Sequence, residues 1–248
     1  MLQFGSGVLW GIPTTGNLAT NVTPQRFGTL QDVSIDISQK LVELMGASKF
    51  PDDIAPSDMK ITGKAGFGKL DINIYNQLFF ANAQTTGASP NFVKDEADTI
   101  PASVSYVITV TNSASFTKDL GVLYAATGIP FIRIPSGTPT VGQYTVSAGV
   151  YTFAAADASA AVLISYLYAN STTGNVLTVV NELQGYGPVF ELYLYEPYQG
   201  QNGFHLYACR SSKLTQPRKR DGYRIDSFEF SAYANPAGNV MDFFRATE

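Results

Sequence analysis

Two stretches of strict alternation constrain this chain more than anything else in it. From Thr29 to Ser38, Val33, Ile35 and Ile37 alternate with Asp32, Ser34, Asp36 and Ser38. From Met59 to Phe67, Met59, Ile61, Gly63, Ala65 and Phe67 alternate with Lys60, Thr62 and Lys64. A strand reverses its side chain at every residue, so each run carries one apolar and one polar face. Elsewhere 22 Gly and 13 Pro cut the chain into short apolar runs. Runs of that length between turn residues predict a mainly β protein.

Between the two alternating strands, Gln39 to Ser57 contains Gly46, Pro51 and Pro56 and reads as a long loop. Its Leu41, Leu44, Met45 and Phe50 need something to pack on. Leu70, Ile74, Leu78 and Ala81 recur at helical spacing, so a helix is expected over residues 71–81, with Asp71 at its first turn. Gln84 to Pro101 is polar, carries Asp95, Glu96 and Asp98, and reads as a linker. A second β-rich block follows over residues 103–168, including a hairpin turning at Ala148-Gly149. Longer strands return at Val189–Glu196, Phe204–Arg210, Tyr223–Ala234 and Val240–Phe244.

Composition removes several function classes. The formal charge of −4 argues against a binder that works by neutralising phosphates. One Cys and one His cannot supply a disulfide, a zinc framework or the usual triads, so no cofactor, metal or catalytic centre is expected. The most apolar stretch, residues 160–169, is about half the length a bilayer span requires. Met1 to Gly7 has neither a basic segment nor an apolar core, so a cytosolic product is expected. Charged residues reach only 15% beside 45% apolar ones, from which a surface that becomes covered by copies of the same chain is expected.

Three local patterns imitate chemistry. Gly63-Lys64-Ala65-Gly66-Phe67-Gly68-Lys69 matches a phosphate loop in spacing. However, Leu70 stands where a magnesium-binding Ser or Thr is needed, and the alternation runs straight through Gly63 and Ala65. His205 and Cys209, four apart in a strand, are expected on one face with Tyr207 between them. They would lie about 13 Å apart, beyond nucleophile–base reach. Glu191 and Glu196 fall on opposite faces of their strand and cannot flank one bond. The basic run Arg218, Lys219, Arg220 has three readings: a phosphate-binding loop, the more frequent solvated turn between strands, or, in an assembling protein, a contact that docks on an acidic patch of a neighbouring subunit such as Asp52-Asp53 or Asp95-Glu96.

Three segments carry a family likeness: Phe4-Gly5-Ser6-Gly7-Val8-Leu9-Trp10-Gly11, Arg26 to Ile37, and Lys60-Ile61-Thr62-Gly63-Lys64-Ala65-Gly66-Phe67 running on to Tyr75-Asn76-Gln77-Leu78-Phe79-Phe80. They resemble tail tube (major tail) proteins of long-tailed bacteriophages. The segment from Gly142 to Tyr168 also looks like phage structural proteins. The resemblance implies a tail-tube-like β-barrel or sandwich with one flanking helix. Residues 1–100 and 171–248 would form the tube domain, and residues 101–170 an inserted outer β-rich domain. It implies a virion protein, assembled in the host cytoplasm, whose hexameric rings stack into the tail tube. Partners would be further copies of itself and the tape measure, terminator and distal tail proteins. DNA would pass without specific binding, and no membrane would be involved.

On that reading Asp32, Ser34, Asp36, Lys60, Thr62, Lys64, Glu191 and Glu229 tend toward the lumen. Carboxylates outnumber lysines among them, and a mildly acidic lining repels passing phosphates. Leu41, Leu44, Met45, Phe50, Asp52, Asp53, Arg218, Lys219 and Arg220 are expected at contacts between subunits or rings. The alternatives are another phage part (terminator, baseplate or decoration protein) and a carbohydrate-binding β module using Tyr193, Tyr195 and Tyr198.

Overall fold

A computed structural model describes residues 5–14, 23–69, 72–82, 84–87, 89–170, 172–197 and 201–246. Phe4, Leu70, Asp71 and Tyr198, singled out above, lie outside the described residues. The chain is mainly β and divides into two compact units, residues 1–83 with 177–248 and residues 84–176.

The first unit opens with β1 (Val8–Pro13), β2 (Gln25–Arg26), β3 (Leu30–Met45) and β4 (Pro51–Phe67). A single α-turn, α1 (Ile72–Tyr75), runs on as a π-helix over Asn76–Phe80. The expected helix is therefore present, but it relaxes to the wider π form and stops at Ala81 in the left-handed region, φ 52°. Asn76 fastens this end: its amide oxygen accepts from the Asn82 backbone N–H at 2.7 Å and its amide nitrogen donates to the Asn82 carbonyl at 2.8 Å.

The second unit comprises β5 (Gln84–Thr86), β6 (Ser89–Thr99), β7 (Val107–Thr109), β8 (Phe116–Tyr124), β9 (Ile132–Arg133), β10 (Gln143–Ser147), β11 (Val150–Phe153), β12 (Ala161–Asn170) and β13 (Asn175–Leu177). The chain then returns to the first unit through β14 (Phe190–Glu196), β15 (Gln201–Thr215), β16 (Asp226–Ala232) and β17 (Met241–Ala246).

The first unit is one sheet in the order β2-β1-β14-β15-β16-β4-β3, with β17 beside the N-terminal half of β15. Among the described residues, neither this sheet nor the others closes into a barrel. One face packs on the helix: Ile74, Tyr75 and Leu78 meet Leu9, Phe67, Phe190, Leu192, Phe228 and Phe230 in one buried cluster. Gly63 is there for packing. A Cβ at that position would lie 2.4 Å from the Phe230 ring and 2.9 Å from the Ser34 carbonyl. Gly63 and Gly66 of the phosphate-loop-like stretch thus sit within a continuous strand, and Gly68 follows its end.

The second unit stacks β6-β12-β8 against β7-β11-β10-β9. The Ala148-Gly149 turn joins β10 to β11 with both residues at positive φ, 48° and 77°. That is the primed two-residue turn whose twist matches a hairpin. The supposed linker over residues 84–101 is a correction. It holds β5 and β6, and β6 pairs with β12 from Ser89 to Thr99, so this unit begins at Gln84. Burial alternates from Ser89 to Lys94, with Asn91 and Val93 half-buried and Phe92 and Lys94 exposed, and a register shift before Glu96 then breaks the pattern.

Candidate functional site: a polar sheet face and a projecting hairpin

The face of the first sheet turned away from the helix collects most of the polar residues singled out above. Val33 and Ile35 pack toward the core, which leaves Asp32, Ser34 and Asp36 exposed. Register carries the face across the sheet: Lys64 lies opposite both Ser34 and Glu229, and Thr62 opposite both Asp36 and Ser231. Ser34, Asp36, Lys60, Thr62, Lys64 and Glu229 line one shallow cleft of about 390 Å³. Lys213, which the sequence pattern did not mark, joins them by an ion pair to Glu229 at 3.8 Å. A bulge between Ser211 and Lys213 interrupts the alternation of β15, so the residue's facing is hidden in the sequence.

Glu191 sits farther along the same face in a different setting. Its carboxylate accepts from the Tyr193 hydroxyl at 3.3 Å and meets His205 Nε2 at 3.1 Å. The imidazole lies between two rings, parallel to Tyr193 at 4.0 Å and tilted against Tyr207 at 4.1 Å. The Tyr207 hydroxyl donates to Asp242 on β17. Burial, and then the Glu191 charge, push the Tyr193 phenol pKa upward. For Tyr207 the hydrogen bond to Asp242 is the first cause of the same shift. Both phenols therefore stay protonated as donors.

The expected pairing of His205 with Cys209 on one face is corrected. A register shift between the Phe190 and Leu192 pairings places Cys209 opposite Phe190 in the core, while His205 stays on the polar face with Tyr207. Burial drives the Cys209 thiol pKa far up, so this is an inert core sulfur.

The expected loop over residues 39–57 is also corrected. These residues extend β3 and β4 into one long hairpin, paired from Leu30↔Phe67 to Met45↔Pro51. Past the Ile37↔Ile61 pair the ribbon leaves the rest of the sheet, since β16 ends opposite Ile61. Pro51 begins its strand, and Pro56 falls next to a bulge between Gln39 and Leu41, both places a strand tolerates proline. The ribbon is apolar yet uncovered: Leu41, Leu44, Met45 and Phe50 are 58, 64, 56 and 80% exposed. Directly opposed residues share a face. The extra residue of the bulge lies on β4, so the core-side stripe of Ile61 and Ala65 continues outward through the Met59↔Gln39 and Leu41↔Pro56 pairs.

The remaining contact residues occupy opposite ends. Asp52 and Asp53 lie exposed near the hairpin tip. Arg218, Lys219 and Arg220 lie exposed in the β15–β16 connection, which enters β16 opposite Phe67 at the far end of the sheet. The other suggested acidic patch is engaged within its own unit. Glu96 accepts from Tyr166 at 2.6 Å and from the Thr111 backbone and hydroxyl at 2.9 Å.

Among the described residues, no three His, Cys, Asp or Glu side chains gather as a metal site, and no helix is long and apolar enough to cross a membrane. A scan against protein-family models and a search of curated proteins both return no match for this chain.

Proposed function

We propose that this chain is a tube-forming structural subunit of a phage tail, working by self-association rather than catalysis. The observation that carries the reading is the hairpin over residues 39–59. It is a long, paired, apolar ribbon that its own chain leaves in water. Each large apolar side chain covered by a neighbour contributes roughly 1.5–3 kcal/mol, so a ribbon of this composition favours burial against another copy.

The two ends of the first unit support a head-to-tail arrangement. An apolar, acid-tipped hairpin projects from one end and a basic loop closes the other, so copies stack in one direction as an open polymer. Within a ring, neighbouring sheets cover each other's edge strands, β3 and β2, which otherwise invite uncontrolled pairing. The helix-covered face then lies outside. The face holding Asp32, Ser34, Asp36, Lys60, Thr62, Lys64, Glu191 and Glu229 lines a water-filled bore through which DNA passes. The second unit decorates the assembly.

Negative-stain microscopy of the purified chain tests this. Uniform hollow tubes are the expected result. Particles that stay monomeric at every concentration, or closed single rings that never stack, overturn the reading.

A further inference from the structure

The geometry points to a binding site for an organic cation, a guanidinium or ammonium on an apolar stem, in the cavity beside Glu191. The inference stands on the cavity alone and does not require the tube. The cavity has a volume of about 620 Å³ and is lined by Glu191, Tyr207, Tyr233, Thr14 and Asn235 over a floor that includes Val189.

Several of its polar groups are already engaged within the fold. The Thr14 hydroxyl is spent on the Val189 carbonyl at 2.9 Å. The Asn235 amide oxygen is spent on the Ala237 and Asn239 N–H groups. The Tyr207 hydroxyl is spent on Asp242. What remains for a charged guest is the half-buried Glu191 carboxylate, held in place by Tyr193 and His205, beside the Asn235 side-chain NH2 and the walls formed by Tyr207 and Tyr233 with its hydroxyl. A carboxylate that shares a cavity with tyrosine rings and an apolar floor suits a donor-rich cation with a hydrocarbon stem.

Two sources share this chemistry: a diffusible amine, or an Arg or Lys side chain from the loop Arg218, Lys219, Arg220 of a second copy. Titration of the dilute full-length chain with n-butylguanidinium, and with neutral n-butylurea as its isostere, reads the site by chemical-shift changes at Tyr233 and Glu191. We expect saturable binding of the guanidinium and none of the urea. Glu191→Gln should weaken binding roughly tenfold. Tyr233→Leu, at a partly exposed position, should weaken it several-fold while leaving the thermal midpoint unchanged. The same resonances followed against protein concentration separate the sources. Shifts that vanish when Arg218, Lys219 and Arg220 are all Ser assign the second copy, and concentration-independent shifts assign the diffusible amine. Absence of saturable guanidinium binding, equal binding of the urea, or full affinity in both variants overturns the site.

Discussion

Asp119 shows how a single residue holds the second unit together. Its side chain is 4% exposed, yet it accepts from Tyr144 and Tyr151 hydroxyls at 2.8 and 2.9 Å and from the Gly121 N–H at 3.0 Å, with Arg133 at 3.7 Å. Removing a buried, fully bonded carboxylate strands several donors at once, so Asp119→Ala should cost about 3 kcal/mol in urea unfolding. The same contacts make this unit sensitive to alkali. Burial first, and then Asp119, raise the phenol pKa values of Tyr144 and Tyr151 beyond the ordinary range. Burial and Asp157 push Tyr124 up to about 12. The fold holds the protonated phenols. Their contribution is complete below the unfolded phenol value of about 10 and is lost as pH rises through the folded values. Tyrosinate absorbance should therefore rise together with loss of near-ultraviolet dichroism above about pH 10. Tyr151→Phe should lessen that pH dependence. In the first unit, Gly63→Ala should cost about 1–3 kcal/mol, because the Phe230 ring and the Ser34 carbonyl both occupy the space a methyl needs. Unchanged stability of that variant would show that β16 can move away from β4.

Among the elements, the hairpin behaves differently from the strands that continue it. Below Ile61 both strands contribute to the core, and above it they bury almost nothing of their own. Phe50→Asp should therefore leave the unfolding midpoint within about 0.5 kcal/mol of the parent, as an exposed position allows, while abolishing tubes. Unimpaired polymerisation would remove the hairpin from the assembly interface. The helix end makes a second test. Ala81 adopts φ 52°, a conformation glycine reaches without a Cβ clash. Ala81→Gly should stabilise the first unit by several tenths of a kcal/mol in thermal unfolding, since relief of the left-handed strain outweighs the added backbone entropy.

For the molecule as a whole, the second unit is one continuous segment of the chain, and its two ends meet. β5 pairs with β13, and the Gly87 N–H donates to the Gly174 carbonyl at 2.9 Å, so the two ends lie side by side. Excising residues 88–173 and joining Gly87 to Gly174 should leave a first unit that folds cooperatively around its own core and still polymerises. Excising residues 101–170 instead strips β6 of its partner β12 and leaves an eleven-residue strand with open edges. That deletion should aggregate. Circular dichroism and sedimentation of both deletions check the difference. Failure of the 88–173 deletion to fold would show that the second unit is integral to the first.

Much of this protein was already legible along the chain. Side-chain alternation is a property of the extended backbone itself, so the polar and apolar faces of β3 and β4 could be read from Asp32–Ile37 and Lys60–Phe67 directly. The primed turn at Ala148-Gly149 was equally local. Tertiary structure alone decided the rest, because it depends on which strand lies alongside. Register against β4 turned an apparent loop at residues 39–57 into a ribbon. Pairing with β12 turned a polar linker into β6. Bulges in β15 sent Cys209 into the core, kept His205 on the polar face and brought Lys213 to Glu229. Prolines, acidic edges and bulged residues carry no fixed meaning in one dimension: the free energy that tolerates them comes from a partner strand whose place in the sequence is far away.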